Sequence, residues 1–307
     1  MTRPPSPTLD MKSTLMLLAL AAVWGGTFFF AEIALREVPP LTIALHRIVW
    51  AIPVLAVFVV AKRAAQPVSV RTCAAFVVMG ALNNAIPFSL IFWGQTQIES
   101  GLASILNGTT AMFGAVVAGL LLPDEALTTK KVMGGALGLA GVAIIMGPQT
   151  LTGFDPASLA QLAILGATLS YAFAGVWGKR MLSGQPPLVN TLGMLLGSVL
   201  VMVPLVLIFD GPPSLALSAQ VWGALLAMAV LSTALAYVLY FSILTRAGAA
   251  NLLLVTLLIP PFAIGLGVVF LGESLGLNAM IGFAVIATGI IVTDGRVFSI
   301  HTRFAPR

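Results

Sequence analysis

Two stretches, "LLLPDEALTTKK" (residues 120–131) and "FLGESLGLNAM" (residues 270–280), each set an acidic turn between apolar runs. Sliding the chain by 148 places Glu125 on Glu273, Leu127 on Leu275, Gly119 on Gly267, Gly134 on Gly282 and Gly141 on Gly289. Earlier in each half, "ALREVPP" ends at Pro40 and "MLSGQPP" at Pro187, an offset of 147. Apolar residues match by chance, so the glycine and glutamate coincidences carry the signal. They predict an internal repeat. One difference between the two turns needs a reason: Lys130 and Lys131 follow the first, and no lysine follows the second.

Composition supplies it. Of 307 residues, 59% are apolar and 8% charged, where a soluble domain carries about 25% charged residues. Too little charge is present to cover a soluble surface, and a bilayer is the solvent that suits such a chain. The intervals 13–31, 72–98, 100–123, 132–154, 156–178, 181–209, 211–245, 247–272 and 274–293 contain no charge, and 41–61 contains only His46 and Arg47. A spanning helix needs about 20 apolar residues, so these are ten candidate spans. The apolar runs are continuous rather than alternating, which excludes a β-barrel. The expected fold class is an all-α membrane protein of ten transmembrane helices.

With a cytoplasmic N-terminus, the inner segments hold Arg3, Lys12, Lys62, Arg63, Arg71, Lys130, Lys131, Lys179, Arg180, Arg246, Arg296, Arg303 and Arg307. Arg36 alone lies outside, Arg47 lies within a span, and the outer turns carry Glu37, Glu99, Asp155, Asp210 and Glu273. This positive-inside bias puts both termini in the cytoplasm of a multi-pass protein of the cell (inner) membrane. Each half holds five spans. Five is odd, so the second half enters from the opposite side, giving two inverted repeats around a central cavity. The expected parts are a tail (1–12), a first repeat (13–149), a second repeat (156–294) and a tail (295–307). The lysines then mark the one turn of the pair that faces the cytoplasm. A cleaved signal peptide competes for the first span, since Arg3 and Lys12 precede an apolar run and "ALAA" (residues 19–22). Cleavage would leave nine helices and spoil the symmetry. The single cysteine, Cys73, excludes an internal disulfide and reads as a packing residue.

"LLALAAVWGGTFFFAEIAL" (residues 17–35), "PPLTIALHRIVWAIPVL" (residues 39–55) and the glycine-and-glutamate hairpins resemble the EamA-type branch of the drug/metabolite transporter superfamily over residues 11–293. Within that branch the chain is similar to YddG-type bacterial amino-acid exporters. The resemblance implies two inverted five-helix repeats around a cavity and export or exchange of metabolites, amino acids among them.

Polar groups within hydrocarbon should face the bundle interior. Asn83 and Asn84 stand near mid-span, just before Pro87, which removes a backbone donor and crowds the residue 83 carbonyl. A kinked backbone at that depth belongs beside protein or water, so this stretch is the first candidate for a binding site. Interhelical bonding by the two asparagines is the alternative. At the repeat offset Ser232 falls on Asn84, and Thr233, Tyr237 and Tyr240 share its helix face. Ser170, Ala174 and Trp177 repeat the spacing. Asn83, Asn84 and Ser232 are expected to orient a polar end, with Tyr237, Trp177, Trp24, Phe28 and Met112 against an apolar part. His46 is a further cavity candidate, or bonds a carbonyl. Glu32 and Arg47 lie at comparable depth and are expected to form a structural ion pair. The alternative is that Arg47 meets a substrate carboxylate. Pro87, Pro260 and Pro261 are candidate hinges or rigid kinks. The small-residue runs at 134–147 and 282–290 read as scaffold or a dimer face.

No Asp or Glu lies near mid-membrane, and no phosphate loop, metal-ligand cluster or catalytic triad spacing is present. No enzyme activity, cofactor, metal or nucleic-acid partner is expected. The partners are a small-molecule substrate and the lipid bilayer, with either a monomer or a homodimer compatible. Facilitated diffusion or exchange is expected in place of tight proton coupling. Other readings are a multidrug or other metabolite exporter of the same fold, acting on cationic drugs, nucleosides or sugars, and a channel or membrane enzyme. The topology is checked by fusing reporters active only in the cytoplasm to each end. Both fusions should report, and signal from one alone would break the inverted repeat.

Overall fold

The computed structural model describes residues 10–64, 66–147 and 155–294. Among the described residues, nine apolar helices are long enough to cross a bilayer, and a tenth is shorter. They are α1 (Met11–Ala34), α2 (Pro40–Ala61), α3 (Val70–Gly94), α4 (Ser100–Leu121), α5 (Thr129–Met146), α6 (Pro156–Met181), α7 (Pro187–Phe209), α8 (Ala219–Gly248), α9 (Val255–Leu271) and α10 (Leu277–Asp294). No strand occurs among the described residues. Most of the two expected tails, with Arg3, Arg296, His301, Arg303 and Arg307, lies outside the described residues.

Local signals start these helices. Asp10, Ser69, Thr128, Asp155 and Ser218 each accept the backbone N–H three residues on, which satisfies a donor that the first turn leaves unpaired. Pro40, Pro156 and Pro187 occupy first helical positions, where no N–H is needed. Between α8 and α9 the chain reverses at Gly248, whose φ of 79° favours glycine. One further turn of helix then reaches Leu252 before α9 begins.

Packing follows the repeat. α1 packs on α9 as α6 packs on α4, α3 on α6 as α8 on α1, and α3 on α7 as α8 on α2. α5 and α10 are each other's mates and face each other along a long seam. Interruptions recur as well: α4 breaks at Gly108–Thr109, and the helix leading into α9 breaks at Leu253–Leu254. Two inverted five-helix repeats thus enclose a common centre.

Glycine makes the α5–α10 seam. A Cβ on Gly141 would lie 2.8 Å from the Gly282 carbonyl oxygen, and one on Gly282 would lie 2.7 Å from that of Gly141. Gly134 and Gly289 stand in the same reciprocal relation, at 2.6 and 2.8 Å. The small-residue runs are therefore scaffold inside one chain, with backbones close enough for dispersion to replace a missing hydrophobic drive. Gly175 has open space around its Cα. Substitution by alanine should split the two positions in thermal melts of the purified protein. Gly141→Ala should cost about 1–3 kcal/mol by overpacking, whereas Gly175→Ala should be neutral or gain up to about 1 kcal/mol from helix propensity.

Candidate functional site

The centre is marked by backbone. α3 carries a π-turn at Ala81–Ala85 and α8 carries one at Val230–Leu235, at matching places in the two repeats. In α3 the cause is Pro87, which cannot donate to residue 83. The wider turn lets the Ile86 N–H reach the Ala81 carbonyl instead. In α8 no proline is present, and the Thr233 hydroxyl bonds the Met228 carbonyl at 3.1 Å. Both π-turns are tied to the opposite repeat's helices. Ser170 of α6 donates to the Leu82 carbonyl at 2.6 Å, and Ser232 donates to the Val23 carbonyl of α1 at 2.8 Å.

Arg47 of α2 lies between these turns. It is 8% exposed. Its Nε donates to the Thr233 hydroxyl at 3.0 Å and its Nη2 to the Ser232 carbonyl at 3.4 Å. The guanidinium stacks 4.0 Å above the Phe88 ring. Tyr171 of α6 and Tyr237 of α8 lie within its electrostatic range. Asn83 donates to the Tyr237 hydroxyl at 3.2 Å and to the Met194 sulfur at 3.3 Å. Trp24 and Tyr240 continue the aromatic wall, ring centroids 6.0 Å apart. Around the buried arginine, Asn83, Tyr171 and Tyr237 are half-buried and keep part of their surface accessible.

Arg47 has no carboxylate partner among the described residues, so the expected Glu32–Arg47 ion pair does not form. Depth along the helices is comparable, but the neighbours differ. α2 packs on α3, α7 and α8, while α1 packs on α8 and α9. Glu32 instead lies beside Gln95, with Arg36, Glu99 and Glu273 nearby, on the wall of a cavity of about 540 Å³ at the acidic end of the bundle.

Other expected site residues separate in the same way. Asn84 is fully buried and donates to the Ser198 hydroxyl of α7 at 2.8 Å, an interhelical bond rather than a cavity contact. The Ser232 hydroxyl is used by Val23, and its carbonyl is what reaches Arg47. Trp177 donates to the Ala75 carbonyl at 3.0 Å and belongs to a satellite cluster with Phe76, Leu182 and Val189. Met112 is buried where a Cβ on Gly138 or Gly289 would touch its side chain, in the α5–α10 groove. His46 accepts from the Trp50 indole at 3.0 Å and meets the Trp222 edge, away from the Arg47 guanidinium. Phe28 is buried, and its carbonyl accepts from Gln95 at 2.9 Å. Pro260 and Pro261 lie in α9 where it passes Gly25 of α1, a Cβ on which would sit 2.9 Å from the Ile259 carbonyl. The sequence reading missed Tyr171 and Phe88. The signal for Tyr171 was its position one residue after Ser170 on a span already marked by polar spacing.

At the bundle ends the acids have a common job. Glu37 accepts from the Ser218 N–H at 2.8 Å, Asp210 from the Thr42 N–H and hydroxyl at 2.9 and 2.8 Å, and Glu273 from the Ser100 and Gly101 N–H groups at 2.9 and 3.0 Å. Each joins one repeat to a helix start of the other, where the helix dipole favours negative charge. Hydrogen bonding to Ser218 holds the Glu37 carboxyl below its usual range. The opposite end is joined by exposed ion pairs: Lys179 with Asp124 and Glu125, and Arg246 with Asp10.

Comparison with known proteins places this architecture. The EamA-like transporter family matches residues 11–147 and 158–293. The uncharacterized transporter YoaV of Bacillus subtilis is 25% identical over 92% of this chain and 96% of its own length. The protein PecM of Dickeya dadantii is 28% identical over 92% of this chain and 93% of its own. A solved crystal structure, 18% identical, shares the fold with a TM-score of 0.65 over 92% of this chain and 97% of that one. Both halves carry the family's unit, and the chain belongs to the EamA-like transporter family.

Proposed function

We propose that this multi-pass membrane transporter exports or exchanges small metabolites across the cell (inner) membrane, and that its substrates are amino acids with an aromatic or other amphipathic side chain. Arg47 carries the reading. A guanidinium has five N–H donors in a planar fork that matches a carboxylate. Nε and Nη2 each make one bond, and Nη1 makes none among the described residues. Donors for an end-on carboxylate therefore remain beside accessible tyrosine and asparagine groups. Burying a cation without a counter-charge is costly, and an incoming carboxylate removes that cost. Phe88, Tyr171, Tyr237 and Trp24 offer the apolar contact that an amphipathic side chain needs. The substrate crosses by alternating access, the two repeats rocking about the shared cavity with the acidic end outside. Pro87, Pro260 and Pro261 serve as the hinges of that motion. With no Asp or Glu beside Arg47, transport runs as facilitated diffusion or exchange.

A multidrug exporter is the second reading, favoured by Glu32, whose Oε2 is buried without a hydrogen-bond partner. Its cationic drugs would meet Arg47 in the cavity, which opposes them. Nucleosides or sugars would leave the guanidinium unmatched.

Counterflow in liposomes without a pH gradient tests the proposal. Aromatic amino acids should exchange saturably, and the corresponding amines, which lack the carboxylate, should compete weakly. Arg47→Gln should raise the half-saturation concentration about ten- to hundredfold, the worth of a charge-assisted hydrogen bond, while protein yield stays normal. Equal competition by the amines, or an unchanged half-saturation in Arg47→Gln, would refute the assignment. Tyr237→Phe keeps the ring and removes the hydroxyl bonded to Asn83. It should weaken half-saturation by less than tenfold, the effect of one neutral hydrogen bond of about 1 kcal/mol.

A further inference from the structure

The two acidic hairpins that mark the repeat are in different states. In the hairpin after α9, Glu273 reaches across the repeat boundary and caps the start of α4 through the Ser100 and Gly101 N–H groups. Gly267 makes the room: a Cβ there would fall 2.2 Å from the Glu273 carboxylate. The hairpin after α4 holds the same parts, Gly119 and Glu125, at the same spacing. Yet the space beside Gly119 is filled by Leu127, 3.1 Å from a Cβ built there. Glu125 is held by Lys179 at 2.9 Å and Lys131 at 3.6 Å. At the repeat offset, the counterparts of Ser100 and Gly101 are Gly248 and Ala249, where the chain turns towards α9.

We propose that Glu273 and Glu125 are alternate latches of the two ends. In this structure Glu273 is fastened to α4 and ties the two repeats together at the acidic end, while Glu125 is parked on lysines. In the opposite state Glu273 releases the α4 amides, Leu127 withdraws from Gly119, and Glu125 takes the amides of residues 248 and 249. A carboxylate on backbone amides is a charge-assisted bond that salt-screened surface pairs do not match. The Lys130–Lys131 pair beside only one hairpin then sets a resting preference, because lysine competes for Glu125 and nothing equivalent follows Glu273. The proposal rests on alternating access but not on the identity of the substrate.

Distance measurements between spin labels on the full chain in liposomes test it, on a Cys73→Ser background because Cys73 is exposed. One pair, Gln97→Cys with Gly276→Cys, spans the acidic end; the other, Ala126→Cys with Thr245→Cys, spans the basic end. Glu273→Gln should raise the long-distance population at the acidic end about tenfold, the equivalent of one hydrogen bond to a charged group, and shorten the basic pair. Gly267→Ala, which crowds the carboxylate without changing charge, should act the same way. Glu125→Gln should leave the acidic pair short and the basic pair long. Unchanged distances in Glu273→Gln and Gly267→Ala, or a shift of the same sign in Glu125→Gln, would overturn the latch. These labels report no substrate, so counterflow by amino acids could succeed while the latch fails, and the reverse.

Discussion

A backbone amide in hydrocarbon has no water to fall back on, and the rest of this structure depends on that constraint. It forces helices, and it makes any departure from regular helix costly unless the freed groups find partners. The π-turns of α3 and α8 satisfy it locally, through the Ile86 N–H in α3 and the Thr233 hydroxyl in α8. They also satisfy it across the bundle, through Ser170 and Ser232. Backbone groups freed at these two turns thus find partners inside the bundle, and the Ser232 carbonyl of the α8 turn becomes available to Arg47. The proposed binding centre follows from the way the chain solves its own hydrogen-bonding problem.

Much of the fold was legible because charge and apolar length are one-dimensional quantities. Ten apolar runs, basic turns on one side and the Gly–Glu repeat define the spans and their order without any knowledge of facing. The site was less legible because these helices are apolar nearly all round, so periodicity does not say which face turns inward. Asn83 and Asn84 show the difficulty. They are adjacent, about 100° apart around the helix. One reaches Tyr237 beside Arg47, and the other is spent on Ser198. Glu32 and Arg47 show it again. Equal depth suggested a pair, but depth does not set azimuth, and the two helices have different neighbours. Met112 was misjudged for a related reason: the glycines of α5 and α10 open a groove that draws the thioether away from the centre.

Acids collect at one end for two reasons that act together. Lysine and arginine gather at one end, as the expected positive-inside bias requires, which leaves the other end to acids. The even-numbered helices start at that end, so it presents the positive ends of helix dipoles and unpaired N–H groups. Glu37, Asp210 and Glu273 each meet such a start, and Asp155 caps α6. The odd-numbered helices start at the basic end, where serine, threonine and Asp10 do the capping in place of cross-repeat carboxylates. One end is therefore tied by short bonds to backbone, the other by long, solvated side chains.

Under the alternating access proposed above, both ends must open in turn, and that difference then matters. Exposed ion pairs between flexible side chains contribute little and are screened by salt, so the basic end separates at small cost. A carboxylate seated on two amides is harder to release, but its release is not a loss of all bonding, because an opened acidic end admits water to both partners. The cost of opening is then close to the net worth of the bonds exchanged, about 1–3 kcal/mol each for charged partners, within the range that a bound substrate can offset. Two repeats of nearly equal structure need some asymmetry of this size to prefer one state at rest. A few charges placed to satisfy membrane topology provide it.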